Sequence, residues 1–354
     1  MFPEYTRSVF DGVIGQARAV AQLRHAAMTP VHAYLFVGPP GSTKDDAARA
    51  FAALLLAGLD DPTARHARLA LDGIHPDVRE LRRDGARFLE DQIKEIIRIA
   101  ALAPQEGPRT IVILHEFHLI DAEGAARLLK SVEEPPDRTM FVILADQVTP
   151  ELVTIASRCV RIDFDMIDDE TIRSVLLAAG VPPDRAALAT TSASGDLDRA
   201  RLLAADESLA RRRHAFAAVP RRLDGTGSRV VELCRELDEL IDAAAAPLLA
   251  RQADELARLE EQVKLSGERG SGRKRLEERH RRELRKHHTD ELRSGLTIIA
   301  GVYRDALVAG TFARADAAID AVHRVNKATA ALGRNPNDIL LLQSLLLDVP
   351  SLPT

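Results

Sequence analysis

The stretch from Ala33 to Asp45 constrains the fold more than any other. Five apolar residues, Ala33-Tyr34-Leu35-Phe36-Val37, run into the turn Gly38-Pro39-Pro40-Gly41, and an alanine- and leucine-rich helix is predicted from about Lys44 to Leu56. A strand that is apolar at every position must be covered on both faces, so a strand turning through glycine into a helix opens a βαβ unit. The run also has the frame of a phosphate-binding P-loop, GxxxxGK[ST]. In that loop backbone N–H groups and the helix N-terminus cradle phosphates, lysine reaches the terminal phosphates and the hydroxyl binds magnesium. Gly38, Gly41 and Lys44 fit the frame. Thr43 stands where the last glycine belongs, a β-branched residue where backbone must approach phosphate closely. Asp45 replaces the hydroxyl with a carboxylate, a repulsion of about 1 to 4 kcal/mol toward a phosphate about 4 Å away. Taken alone, the loop leaves open a plain strand-to-helix turn.

Further β-like runs at Thr110 to Leu114 and Met140 to Leu144 flank an amphipathic segment, Ala122 to Val132, and Val160 to Phe164 could close the sheet. The economical fold is a parallel sheet flanked by helices. In a P-loop ATPase the second of these strands, counted from the run Ala33 to Val37, ends in an acidic pair, one residue serving the metal and the next the attacking water. Here it ends Leu114-His115-Glu116. His115 cannot supply the metal-side carboxylate, while Glu116 remains. Two parts of one site are altered together, which chance change in an unrelated turn would not produce.

From Asp168 the pattern changes to short helices, Glu170 to Ala179, Ala186 to Ser192 and Asp196 to Ala205, and Pro220 to Gly227 has the composition of a boundary. Everything beyond reads as helix. The segment Gln252 to Arg293 is densely charged and broken by Ser266-Gly267-Glu268-Arg269-Gly270-Ser271-Gly272, which implies a helical hairpin or a frayed excursion. On its second arm Leu276, His280, Leu284, His288 and Leu292 form one stripe that packs against a neighbouring helix. Residues 273–293 hold nine Lys or Arg against five Asp or Glu. Mixed signs such as Glu278 with Arg282 suit a solvated face better than a phosphate track, and the histidines lack a metal-binding framework.

A chain of 354 residues with 46% apolar residues exceeds one core, so two or three domains are expected. With aromatics at 4% and no Trp, the balance favours helix. A net charge of −5 argues against a domain that grips nucleic acid by electrostatics alone. The two cysteines, Cys159 and Cys234, have no cysteine or histidine nearby and read as small buried hydrophobes. No run of about 18 apolar residues occurs, and a cytoplasmic, membrane-free setting is expected.

The order of the motifs resembles the AAA+ clamp-loader family, in particular the delta-prime and gamma/tau subunits of bacterial DNA polymerase III. The matching runs are Val13-Ile14-Gly15-Gln16, His32 to Gly41, His75-Pro76-Asp77, Leu128-Leu129-Lys130-Ser131-Val132-Glu133-Glu134-Pro135-Pro136 and Thr154-Ile155-Ala156-Ser157-Arg158-Cys159. Weaker likeness extends through Gly195 to Ala200 and Leu332 to Leu347. The resemblance implies an α/β P-loop (AAA+) domain with a parallel sheet over residues 1–165, a small helical lid over 166–224 and an all-α collar over 225–354 that carries the charged excursion 250–293. It implies that Arg158 acts in trans, as a catalytic residue in the ATP site of a neighbouring subunit.

In this family the tripeptide at His75 follows a zinc knuckle, whose cysteines fall by offset on Asp61, Ala64 and Ala67, with His66 the only ligand type nearby; no metal is expected. Asp146-Gln147 stands where ATP-binding relatives carry Thr or Asn, and Asp198 where they offer a phosphate-sensing arginine, with Arg199 displaced by one. These departures favour delta-prime, whose implied role is a non-hydrolysing subunit supporting ATP-dependent loading of the sliding clamp onto primed DNA. Gly38, Gly41, Lys44 and Glu116 are then vestigial cofactor-binding residues, with no cofactor expected. The implied partners are gamma/tau and delta subunits, the sliding clamp, and primer-template DNA through the complex. Two other readings stay open: a nucleotide-binding, weakly active AAA+ ATPase keeping Lys44 and Glu116, and a nucleotide-independent scaffold.

Overall fold

The apolar runs become strands of one parallel sheet. The structure is a computed structural model that describes residues 7–83, 88, 90–266, 271–310, 315–332 and 337–353. In chain order its first part holds α1 (Ala17–Met28), β1 (Ala33–Val37), α2 (Lys44–Ala57), α3 (Arg65–Leu71), β2 (Val78–Leu81) and α4 (Glu90–Ala100). There follow β3 (Thr110–Leu114), α5 (Ala122–Glu133), β4 (Thr139–Ala145), α6 (Val153–Ala156) and β5 (Val160–Asp163), then α7 (Asp169–Ala178), α8 (Pro183–Ala193) and α9 (Leu197–Ala205). The strand order is β2-β3-β4-β1-β5, every pair parallel.

Burial explains which strands the sequence announces. β1, β3 and β4 lie inside the sheet and are buried at every residue. Alternate side chains serve two cores: Tyr34, Phe36, Ile111, Ile113 and Val142 join α1, α2 and α3, while Leu35, Val112, Leu114, Phe141 and Ile143 join α4, α5 and α6. β5, at one edge, buries only Ile162. β2, at the other edge, is Val78-Arg79-Glu80-Leu81, paired from Val78↔Ile111 to Leu81↔Leu114. With two charges in four residues it has no apolar run, and the sequence reading passed over it.

The chain divides into two compact units, Met1–Ala200 and Arg201–Thr354. The second is all helix beyond the end of α9: α10 (Leu209–Arg222), α11 (Gly227–Ala244), α12 (Ala246–Ser266), α13 (Ser271–Val308), α14 (Ala315–Ala331) and α15 (Asp338–Asp348). Phe216, Leu233, Leu237, Ile299, Tyr303, Val325 and Leu345 form its core. Gly295 lets α13 lie against Phe216, whose ring would meet a β-carbon there at 2.2 Å. Arg212 is buried between Asp206 (2.6 Å) and Glu291 (2.7 Å). Helix α10 runs through Pro220, so the break before α11 is confined to residues 223–226, where the Thr226 hydroxyl caps α11.

The charged excursion is two helices joined by ion pairs. Arg273 meets Glu260 at 2.8 Å, Arg251 meets Glu283 at 2.9 Å, and Arg279 and His280 share Glu255. The stripe on α13 packs inward, with His280 and Leu292 buried and Leu276, Leu284 and His288 half-buried. The expected interruption at 267–270 lies outside the described residues.

His75-Pro76-Asp77 proves to be a structural anchor. Asp77 is buried, and its carboxylate accepts the backbone N–H groups of Gln105, Glu106 and Gly107 at 2.5–2.9 Å, fixing the loop that enters β3. His75 is buried too. Its Nδ1 accepts the Asp77 N–H at 3.0 Å and its Nε2 lies 2.8 Å from His66 Nδ1. Burial pushes the Asp77 carboxyl up, but the three N–H donors outweigh it and hold it below the usual carboxylate range. Asp77→Ala is expected to cost about 2–3 kcal/mol, since three donors lose a charged acceptor at once. Urea unfolding measures it, and a change in midpoint within experimental error would contradict the anchoring role.

Candidate functional site at the carboxyl edge of the sheet

Parallel strands deliver their carboxyl ends to one edge, and there the singled-out residues meet. Val37 leads into the loop, Leu114 into His115, Ala145 into Asp146 and Leu81 into Arg82. Gly38 continues the sheet, donating its N–H to the Ala145 carbonyl at 3.1 Å, and a β-carbon at Gly38 would strike Phe164 at 2.6 Å. Gly41 and Thr43 both adopt left-handed backbone, with φ of 70° and 59°. For a β-branched residue that conformation costs on the order of 1–2 kcal/mol, so the position does call for glycine. The Thr43 hydroxyl donates to the Ile14 carbonyl at 3.2 Å. Nearby, Gln16 grips the Asp165 backbone through both ends of its amide, at 2.8 and 3.1 Å.

Lys44 is buried, and its ammonium has two partners. Nζ lies 3.0 Å from the Pro39 carbonyl of its own loop and 2.9 Å from Asp146 Oδ1. Asp146 is steadied by His118, whose Nδ1 accepts its backbone N–H at 3.2 Å. The Asp196 carboxylate, at the start of α9, crowds Gly41, reaching within 2.0 Å of where a β-carbon would stand; the Leu197 N–H bonds the Gly41 carbonyl at 3.3 Å. Asp198 is exposed, while Arg199 reaches the Ser192 carbonyl at 3.4 Å.

The two residues on the metal side of a P-loop site bond to each other. His115, 1% exposed, places Nδ1 2.6 Å from Asp45 Oδ1 and Nε2 3.1 Å from Glu80 Oε2. Glu80 in turn forms a bidentate pair with Arg49 at 2.6 and 2.9 Å, and Arg82 reaches Asp45 at 3.1 Å. A chain of bonded polar side chains, Arg49–Glu80–His115–Asp45–Arg82, thus ties α2 to the ends of β2 and β3. Glu80 in β2 and Arg82 just after it were missed in the sequence because β2 was missed; a glutamate and an arginine in a short polar run give no signal of their own. Glu116 has left-handed backbone, φ 52°, and pairs with Arg83 at 3.2 Å.

Burial pushes the Asp45 carboxyl up, but the His115 hydrogen bond and charge, with Arg82 and Lys44, reverse this and hold it far below the usual range. For Glu80 burial acts the same way, and the hydrogen bonds from His115 and Arg49 bring it down to about 2. The thiols go the other way: burial pushes Cys159 up to about 12, and burial with the nearby Asp238 pushes Cys234 up to about 11.

Arg158 stands apart from this cluster, at the end of α6. It pairs with Glu133, the last residue of α5, and donates to the Thr154 carbonyl at 2.7 Å and the Ser157 hydroxyl at 3.1 Å. At the offset positions of the zinc knuckle, Asp61 caps Thr63 and Ala67 is buried. Among the described residues no group of three or more His, Cys, Asp or Glu is placed to hold a metal ion, and no helix is long and apolar enough to cross a membrane.

A P-loop turn on a five-stranded parallel sheet, with a later helix returning to it, is the arrangement of an AAA+ module. Comparison with known proteins narrows this. Residues 15–168 match the family described as DNA polymerase III, delta subunit. The tau subunit of DNA polymerase III from Bacillus subtilis is 31% identical over 170 residues, 46% of this chain and 30% of that protein. The delta' subunit from the same organism is 32% identical over 161 residues, 44% of this chain and 49% of that one. The gamma/tau subunit from Mycobacterium bovis is 30% identical over 261 residues, 70% of this chain and 44% of that one. These likenesses are consistent with the DNA polymerase III clamp-loader family, with delta' the subunit type specifically suggested. The chain spans less than half the length of each of these relatives.

Because Glu80 ionises more readily folded than unfolded, its stabilisation is complete above the ordinary glutamate value of 4.5 and is lost as pH falls toward about 2. Glu80→Gln is therefore expected to destabilise the protein by about 1–3 kcal/mol near neutral pH, with the difference from wild type shrinking steadily below about pH 4.5. Urea melts at a series of pH values test this; a difference that is flat with pH would contradict it.

Proposed function

We propose that this chain is a delta-prime-type clamp-loader subunit that does not hydrolyse ATP and lends Arg158 to the ATP site of a neighbouring subunit. The observation that carries the first half is the Asp45–His115 hydrogen bond of 2.6 Å. A working site needs a hydroxyl and an acid to hold magnesium; here a carboxylate and an imidazole stand in those places, bonded to each other. Lys44, committed to Pro39 and Asp146, supports the same reading. The residues present therefore do not fit magnesium–ATP, and no cofactor is assigned. The second half rests on the Ser157-Arg158-Cys159 motif and on the half-exposed guanidinium. Arginines supplied in trans accelerate phosphoryl transfer by roughly 10³ to 10⁵ in well-studied GTPases.

The partners that fit are ATP-binding gamma/tau subunits and a delta subunit, with the sliding clamp and primer-template DNA engaged through the complex, in the cytoplasm. A division into an AAA+ domain (1–165), a lid (166–224) and a collar (225–354) belongs to this reading. The weak-ATPase alternative is favoured by one observation, the retained Gly38 and Gly41 frame around Lys44.

Two measurements decide. With labelled ATP and magnesium the purified chain is expected to show no turnover; micromolar binding with magnesium-dependent hydrolysis would establish the alternative. In a complex reconstituted with gamma/tau and delta partners, Arg158→Ala is expected to reduce DNA-stimulated ATPase by about a hundredfold or more at the site it serves. An unchanged rate would remove the trans role and leave a scaffold.

A further inference from the structure

The family motif that precedes two prolines, Ser131-Val132-Glu133-Glu134, and the one that carries Arg158 are 25 residues apart in sequence and meet in the structure. Glu133 ends α5, and Arg158 follows α6. The Arg158 guanidinium is held on two of its three nitrogens. Nε donates to Glu133 Oε1, while Nη1 donates to the Thr154 carbonyl at 2.7 Å and the Ser157 hydroxyl at 3.1 Å. Its Nη2 edge bonds to nothing among the described residues, and the side chain is 37% exposed. Held at Nε and at Nη1, which lie on different edges of the planar fork, the guanidinium can rotate little, so the remaining N–H groups on Nη2 keep one direction.

We propose that Glu133 is a positioning residue for Arg158: it fixes the guanidinium so that the Nη2 edge points outward, toward an anionic group on an adjoining subunit. This rests on the trans-arginine reading above. An exposed pair of this kind adds little to stability, because solvent screens it and both side chains lose rotamer freedom. Its use is preorganisation. An arginine already ordered gives up less entropy when it engages the charge that develops in a transition state. The carboxylate partly neutralises Arg158 at rest, but the outward edge stays available, as a guanidinium can serve acceptors on two sides at once. The first carboxylate of Glu133-Glu134 is thereby assigned to catalysis in the neighbouring site rather than to holding the Pro135-Pro136 turn.

The test uses the full chain in a complex reconstituted with its ATP-binding partner subunits, reading kcat and KM for ATP in the DNA-stimulated reaction. Glu133→Ala is expected to lower kcat about tenfold with KM unchanged, within the roughly hundredfold that misplacing a group by an ångström can cost. Glu133→Gln keeps an oxygen acceptor for Nε and is expected to recover most of that loss. Because the pair is exposed, both variants should assemble normally, which gel filtration checks. Three results overturn the proposal: Glu133→Ala at or above the wild-type kcat while Arg158→Ala is slow; Glu133→Gln as slow as Glu133→Ala; or a loss seen only in KM. If Arg158→Ala itself leaves the rate unchanged, the trans-arginine reading fails and the role of Glu133 falls with it.

Discussion

All five strands of the sheet run in one direction, and the rest of the first unit follows from that. Parallel pairing obliges each connection to cross a face, so helices cover both sides and the three inner strands must be apolar throughout. It also brings every strand's carboxyl end to one edge. There the backbone turns at Gly38, His115 and Asp146, and residues as far apart as 44 and 146 come within hydrogen-bonding distance. A site of this kind comes from topology before it comes from any side chain.

Much of this was legible because burial leaves a mark on composition. Ala33–Val37, Thr110–Leu114 and Thr139–Ala145 are wholly buried and wholly or largely apolar, so their type and order could be read directly. Thr43 and Asp45 were legible as departures because a motif with a known mechanism supplied the expectation. β2 was not legible, since an edge strand half in water has no apolar run, and its Glu80 became visible only through its bonds to His115 and Arg49. Asp77 was hidden for another reason. Three backbone donors converge on it through chain geometry, which no spacing rule encodes.

Arg158 shows a third situation. Its motif drew attention to the residue, but nothing in the spacing linked it to Glu133. The link arises because α5 and α6 both end at the same place, where the Thr154 carbonyl of α6 and the Glu133 carboxylate of α5 meet one cation. Helix C-termini favour positive charge, which makes this a suitable seat for an arginine near solvent.

The bond between Asp45 and His115 also bears on how such a chain can change over time. Each residue now depends on the other. A hydroxyl at 45 alone would leave the buried imidazole without its carboxylate partner there, and an acid at 115 alone would set a third carboxylate beside Asp45 and Glu80. Either single step is expected to lower stability. The pair therefore makes the two positions interdependent: what either residue can become is limited by the one it is bonded to.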